Sequence, residues 1–382
     1  GNVSGGSGGD DVFAERDRTS AYAELQTSLP GGFDINAAVR YDEYDQEGDV
    51  GGRVVGGKFD NVAPQLGLAW RATDSLLFRA SWGESFRAPN MGEMFSSQAL
   101  SFEAIRDSLW CDDLGNAPQD AVYCAQDPIQ HKTWFGGNPD LEPEEGESLT
   151  AGVVYNITDN WSAEISYYDV TLDNKIAAIS VARLLNEEKE GGLGSNPAVV
   201  RDPNTGKIDT MYSFDQNMAS LETSGFDFKT NYATSTDFGD FGVKMEASYV
   251  REYVQQTSPE ATPFDYAGLQ DYPELRANMA LDWKHGDWGA AWALYYIGPQ
   301  DSGNEEWGYP DGYLAEIGSY TKHNFQVSYT HAYNGRITLG VNNAFDKEAP
   351  TWYGDFRSYR DAAHTLYDVL GRSVFFKIEQ TF

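Results

Sequence analysis

The stretch GFDINAAVRYDEY, residues 32 to 44, alternates strictly: Phe33, Ile35, Ala37, Val39 and Tyr41 fall on one side, and Asp34, Asn36, Ala38, Arg40 and Asp42 on the other. A period of two is the mark of a strand with one apolar and one polar face. The same rhythm returns in AYAELQTSL (21–29), VAPQLGLAW (62–70), SLLFRASW (75–82), SLTAGVVYNI (148–157), NWSAEISYY (160–168), TSGFDFKTNY (223–232) and FGVKMEASYV (241–250). It continues in PELRANMALDW (273–283), DWGAAWALYY (287–296), NFQVSYTH (324–331), RITLGVNNAF (336–345) and the closing YDVLGRSVFFKIEQTF (367–382), which makes 13 strands.

The links between these strands come in two sizes that alternate. PGG (30–32), RATD (71–74), TDN (158–160), KHGD (284–287) and YNG (333–335) are short and rich in turn formers, whereas the links at roughly 43–60, 84–147, 170–220, 251–271, 298–318 and 346–365 are long. Short turns then gather at one end of the sheet and long loops at the other. A β-sandwich alternates its strands too, but does not usually segregate its connections so strictly. With Trp70, Trp82, Trp161, Tyr249, Trp283, Trp288, Trp292 and Tyr329 near strand ends, the pattern predicts an all-β fold: an antiparallel transmembrane barrel with short periplasmic turns and long extracellular loops.

Composition narrows the partners. Lys+Arg total 27 against 59 Asp+Glu, a formal charge of -32, and such a surface repels phosphates, which argues against a nucleic-acid partner. No stretch reaches the run of about 18 apolar residues of a spanning helix; the longest candidate is AAWALYYIG (290–298). Barrels alternate and keep hydropathy averages low, so this excludes helical membrane proteins only. GNVSGGSGGDD lacks a basic segment followed by an apolar one, and residues 1–18 are expected to be a flexible, Gly-rich extracellular loop rather than the natural start.

Cys111 and Cys124 lie in one polar segment without CxxC spacing or a nearby His pair, which favours a local disulfide formed in an oxidising compartment, two free thiols being the alternative. On the closing strand Val374, Phe376, Ile378 and Phe382 share the apolar side, and Phe375, Lys377, Glu379 and Thr381 the other. Phe382 is thereby expected to anchor at the membrane interface. A terminal strand that closes on Phe resembles the signal by which outer-membrane proteins are recognised for barrel insertion.

Five phrases, in this order, resemble the second half of TonB-dependent outer-membrane receptors: SWGESFRAPNMGEMF (81–95), GGNPDLEPEEGESLTAGVVY (136–155), LETSGFDF (221–228), LGVNNAFDKEAP (339–350) and the terminal strand. The resemblance implies a barrel of about 22 strands whose lumen is blocked by an N-terminal plug. Nothing here resembles the plug or the short box gripped by TonB, and 13 strands fall short. Residues 19–382 are therefore expected to be the C-terminal part of such a barrel, with the plug and first strands supplied by a second chain or by the same protein. Thirteen spans ending at the periplasm would put residue 1 outside the cell. An unpaired edge in hydrocarbon costs several kcal/mol for each unsatisfied group.

Several residues carry expectations of their own. Arg87, Pro89 and Asn90 of FRAPN are read as structural, as are Pro139 and Pro143 in NPDLEPEE, with Glu142, Glu144 and Glu145 solvated. Trp110, Trp134, Phe135, Trp307, Tyr309, Trp352 and Tyr353 lie in the long loops, where each either packs the loop upon itself or offers a flat surface to a ligand. Arg40, Arg79, Glu164, Asp227, Lys229, Arg276, Asp282, Lys377 and Glu379 are expected to face the lumen and hold the plug by ion pairs and hydrogen bonds, simple solvation being the alternative. RDPNTGKID (201–209) spaces Asp202, Asn204 and Gly206 like part of a calcium loop but lacks the closing bidentate Glu, so a hairpin turn is expected. GGSGG fits GxSxG without its strand and helix, and the five His form no HExxH; no metal site, cofactor or enzyme activity is expected.

The function these expectations converge on is energised uptake, by a protein in the outer membrane of a Gram-negative bacterium, of a scarce bulky solute bound by the extracellular loops. The TonB complex and the surrounding lipid and lipopolysaccharide are the implied partners. A passive porin and a barrel-anchored structural or adhesive protein are the rivals, distinguished by the presence of a plug and by solute-dependent uptake. Siderophore-bound iron has the family's precedent, but acidic loops match anionic ferric chelates poorly, which keeps oligosaccharide in contention and leaves cobalamin and peptides open.

Overall fold

The computed structural model describes residues 12–50, 52–117, 120–124, 129–217, 220–256, 262–301, 316–331, 335–350 and 366–380. In chain order its strands begin with β1 (Phe13–Leu29), β2 (Phe33–Val50), β3 (Arg53–Thr73) and β4 (Leu76–Arg87). A first excursion carries helix α1 (Met91–Phe95), β5 (Ala99–Ala104), a π-helical turn (Leu109–Asp113) and β6 (Gln130–Gly136), before β7 (Glu144–Thr158) and β8 (Trp161–Asp173). A second carries β9 (Ile176–Ala178), helix α2 (Val181–Gly191), β10 (Val199–Arg201) and β11 (Ile208–Asn217). Then follow β12 (Ser220–Thr236), β13 (Gly239–Gln256), the short β14 (Phe264–Asp265), β15 (Leu275–His285), β16 (Trp288–Ile297), β17 (Tyr320–His331), β18 (Gly335–Asn342) and β19 (Ser373–Gln380).

Thirteen of these form one continuous antiparallel sheet in the order β1-β2-β3-β4-β7-β8-β12-β13-β15-β16-β17-β18-β19, with β14 paired to β13. They are the 13 strands that the alternation predicts. The tight connections β1-β2, β3-β4, β7-β8, β12-β13 and β15-β16 fall at one end of the sheet, both excursions leave from the other, and at that other end β2 passes to β3 across only two residues.

The register sorts the side chains. Phe33, Trp70, Phe78, Val153, Ile165 and Phe228 are successive cross-strand partners on one face. Asp34, Ala69, Arg79, Gly152, Ser166 and Asp227 are the corresponding row on the other. The apolar face is left bare: Leu339 is 57% exposed, and Phe376 and Ile378 63% each. A band this continuous, set against a polar opposite face, is a surface made for hydrocarbon rather than water. The packed interior lies elsewhere, in the excursions, where Met94, Phe95, Leu184 and Met211 are buried.

Two expected boundaries move. β1 starts at Phe13, so residues 13 to 18, read as loop, are ladder: Phe13 pairs with Asp49 and Arg18 with Tyr44. The link at 43–60 is no loop either, because β2 and β3 stay paired from Phe33↔Trp70 out to Val50↔Arg53. The period of two survives there in polar form, with Glu43, Asp45, Glu47 and Asp49 replacing the apolar side, and a reading keyed to hydrophobicity stops where the membrane does.

Candidate functional site

FRAPN supplies the joint between sheet and loops. Asn90 caps α1 by accepting from the Glu93 N–H while Glu93 accepts from the Asn90 N–H, a complete capping box. Arg87 donates to Glu93 and, through Nε at 2.5 Å, to Glu144. Glu144 also accepts from the Ile176 N–H at 2.8 Å, which ties the start of the second excursion to the end of the first. On the far side the Pro89 carbonyl accepts from Arg16 and Gln46, Gly48 leaves the room that Phe95 fills, and Gly57 leaves room for the Phe59 ring beside Met94. The structural reading of FRAPN is thus made concrete, and the reading of Glu144 as solvated is corrected: it is buried and bonded on two sides, whereas Glu142 and Glu145 are exposed.

Beyond this joint the two excursions fold into one unit. β10-β11-β6-β5 make a second sheet with β9 on β11, the β11–β6 pair being parallel. On one face Ile179, Leu184, Leu185, Val199, Ile208 and Met211 form an apolar core under α2, whose N-cap is Ser180. Cys111 and Cys124 are disulfide-bonded with Cα atoms 5.6 Å apart. Beside them Arg201 binds Asp107 at 2.7 Å and Glu188 at 2.6 Å, all three buried. Tyr123 donates to Asp107 at 2.8 Å and accepts from the Ile208 N–H, and burial pushes its phenol up. RDPNTGKID is the expected hairpin: Asp202 accepts from the Asn204 and Thr205 N–H groups within the turn.

The loop aromatics separate. Trp110 is no platform: it is 8% exposed, edge-on to Tyr123, donates to the Thr205 carbonyl at 3.0 Å and lies under the Lys207 ammonium. Trp134 is half-buried on the face of the second sheet away from α2, paired with Leu100 and Tyr212. Phe102 and Phe214 share that face, and the Tyr212 and Phe214 rings are 5.8 Å apart. Phe135, opposite Ala99 and Ser213, points to the other side. Trp307, Tyr309, Trp352 and Tyr353 lie outside the described residues, as does Phe382. Tyr212, Phe214 and Phe102 were not singled out from the sequence; the alternation of IDTMYSF within a long polar loop is the signal that marks the first two, and that of ALSFEA the third.

All nine residues expected to face the lumen fall on the polar face of the large sheet. Arg79, Glu164, Asp227 and Lys229 line one recess of about 380 Å³, in which Arg79 donates to Glu164. Asp227 and Lys229 also border a neighbouring recess of about 540 Å³ with Arg276, Tyr320 and Lys322. Asp282 borders a third, near the short turns, and Arg40 pairs with Asp42 on its own strand. Lys377 pairs with Glu379 at 2.8 Å on the last strand.

A sheet bare on its apolar face, lined with charge on the other and topped at one end by a stapled loop unit defines an outer-membrane β-barrel with a large extracellular head. The chain belongs to the TonB-dependent receptors: the family model for the TonB dependent receptor-like beta-barrel matches residues 1–344. Among curated relatives it is 27% identical over 217 residues to heme/hemopexin utilization protein C of Haemophilus influenzae, a match covering 54% of this chain and 25% of that protein. Among solved structures it is similar to the siderophore receptor PirA from Acinetobacter baumannii, with a TM-score of 0.58 at 16% identity over 98% of this chain and 56% of that one. A mutant of the ferric enterobactin receptor PfeA from Pseudomonas aeruginosa gives 0.59 at 15% identity, covering 97% and 54%. The chain thus spans about a quarter of the curated relative and about half of each solved one. It is a protein of the outer membrane.

Proposed function

We propose that this chain is part of the barrel of a receptor that takes up an iron chelate of the heme or siderophore class, energised by the TonB complex. The observation that carries the reading is the half-exposed aromatic face of Phe102, Trp134, Tyr212 and Phe214, with Leu100 among them, on a disulfide-stapled loop unit. Flat rings held rigid beside the mouth of a barrel suit a flat, conjugated solute, which gains by stacking without ordering the loop first. The relatives named for heme utilization and for siderophore reception agree with that chemistry. The charged polar face of the large sheet would hold a plug by ion pairs and hydrogen bonds, which can be broken one at a time, and further strands would complete the wall.

Growth decides it. A strain lacking the receptor is grown with ferric protoporphyrin IX, a ferric siderophore or an oligosaccharide as the limiting nutrient. Loss of growth on one of the two iron sources, restored by the gene but not when the proton gradient is collapsed, is the expected result. Growth unaffected on both, or uptake that survives loss of the gradient, overturns energised iron uptake in favour of a passive pore or a surface anchor.

A further inference from the structure

On its membrane face β17 carries, from the short-turn end upwards, Tyr329, Val327, Phe325, His323 and Thr321. The facing rings of β16 mark the two limits of the band, Trp288 opposite Tyr329 and Tyr296 opposite Thr321. His323 therefore sits one position inside the outer limit, opposite Leu294 and next to Phe325 on the same face. Ionisable side chains on a wall that meets hydrocarbon are rare and mark a function or a partner.

The surroundings hold this imidazole in one orientation. Trp292 Nε1 donates to His323 Nδ1 at 3.1 Å, and the two rings lie nearly parallel with centroids 5.8 Å apart. With Nδ1 taken as an acceptor, the ring proton stands on Nε2, which has no hydrogen-bond partner among the described residues. The Phe325 ring is nearly parallel to the imidazole at 6.5 Å, and Phe345 meets it edge-on at 5.0 Å. The chain brings Phe345 there through a built turn. Asn343, 1% exposed and at a φ of 49°, donates its N–H to Asn324 and exchanges side-chain hydrogen bonds with the Lys347 backbone. The turn leaves Phe345 69% exposed although it packs against two rings. A fixed donor beside a bare aromatic ring, at the edge of the hydrocarbon, suits a ligand that is part acyl chain and part hydrogen-bond acceptor.

Charge does not choose that ligand. Arg372 continues the membrane-face parity of β19, and its guanidinium makes no ion pair or hydrogen bond among the described residues. Lys347 is exposed in the turn, but so are Asp346 and Glu348, and Asp346 accepts from the Arg372 N–H at 2.7 Å. Cations and carboxylates balance at this rim, so the imidazole N–H and the rings decide. Inside the membrane only lipid can accept from that N–H, and the loop end of the sheet is the outer side, so the chains at this height belong to the outer leaflet. We propose that His323, Trp292, Phe325 and Phe345 form a seat for one acyl chain of lipopolysaccharide. The chain lies along the Phe345 and Phe325 rings, and the His323 Nε2–H donates to the amide carbonyl that joins the chain to its sugar, a stronger acceptor than the esters of a phospholipid. The seat is independent of what the receptor takes up.

The test titrates the complete receptor in detergent with lipid A, the acylated part of lipopolysaccharide, or with a phosphatidylethanolamine, and reads bound lipid by native mass spectrometry. His323→Phe keeps a ring in the stack and removes the N–H; it is expected to weaken lipid A about fivefold, the size of one neutral hydrogen bond, and to leave the phospholipid unchanged. Phe345→Ala weakens lipid A through lost chain contact, whereas Phe226→Ala, on β12 of the same face, does not. Retained heat-modifiable migration on gels shows each variant folded. In the unsubstituted receptor labelled with 15N-histidine, the Nε2–H signal of His323 shifts when lipid A is added. Undiminished lipid A binding by His323→Phe overturns the seat, as does a histidine signal that lipid A leaves unmoved. An equal loss for phosphatidylethanolamine overturns lipopolysaccharide as the occupant.

Discussion

Trp110 and Trp134 occupy the same kind of polar loop, 24 positions apart in the sequence, and end in opposite situations. Nothing local separates them. Trp110 sits in a π-helical turn whose side chain closes on Tyr123 and Lys207, whereas Trp134 is on a strand whose alternation turns it outward. Burial in a loop is decided by partners far along the chain, here residues 205 and 207, and those are invisible to a local reading. His131 shows the same dependence with a functional edge. It is 5% exposed beside Tyr123, its Nε2 has no hydrogen-bond partner among the described residues, and burial holds its imidazole below the ordinary histidine range. Asp107 opposes that shift and Arg201 adds to it, with Glu188 completing the charged groups around the cluster. Since the unfolded loop binds a proton more readily than the folded one, stability is full above the ordinary histidine value and falls as pH drops through it. Asp120, held low by Lys207, and Asp202, held low by backbone N–H groups, lose their contribution only in the more acidic carboxylate window. Proteolysis of the loop unit by trypsin is therefore expected to speed up between pH 7 and pH 5.5 in the unsubstituted receptor. His131→Phe, which keeps an aromatic in the slot, flattens the dependence; a slope that persists would assign it to other groups.

At the scale of elements, existence and order were legible and extent was not. The alternation identifies all 13 strands of the large sheet because one face must meet hydrocarbon and the other water, and no helix meets both on a period of two. It loses β1 and β2 where both faces become polar. Those outer segments are also where like charges stand opposite each other: Glu15 across from Glu47, Asp17 from Asp45, and Glu43 from Asp60, with Lys58 bonded to Glu43 as partial relief. Directly opposed like charges weaken an antiparallel pair. The second sheet escaped the sequence reading for a different reason: its β11–β6 pairing is parallel and joins residues about 80 positions apart, with nothing in either strand to announce the other. The charge pattern predicts a dependence on salt. Amide exchange in the outer half of β1 and β2 should slow on going from about 0.01 M to 0.5 M salt, as the Debye length shrinks from about 30 Å to a few ångström. Glu15→Gln with Asp17→Asn should slow it already at low salt and remove most of the salt response. Exchange rates indifferent to both would mean that the opposed carboxylates are neutralised some other way.

The whole molecule poses a question of edges. Among the described residues β1 pairs only with β2 and β19 only with β18, so each presents a row of N–H and C=O groups along its free side. The same two strands carry apolar residues on the membrane face, Leu25 and Leu29 on one and Phe376 and Ile378 on the other. A strand cannot combine a lipid-facing surface with an open ladder, because every unsatisfied backbone group in hydrocarbon costs several kcal/mol and nothing there can replace water. The curvature needed to bring β1 and β19 to each other with 13 strands is one solution; intervening strands are the other. The distinction can be measured in the complete receptor in lipid. If both edges are paired, amides of β1 from Ala21 to Leu29 and of β19 from Ser373 to Gln380 exchange as slowly as those of β3, which has a partner on each side. If β1 and β19 bond to each other, a pair of cysteines introduced across them forms a disulfide under mild oxidation; if strands intervene, the same pair stays reduced while the amides remain protected. Fast exchange along either strand would mean an edge open to water within the membrane's thickness, and the barrel itself would have to be given up.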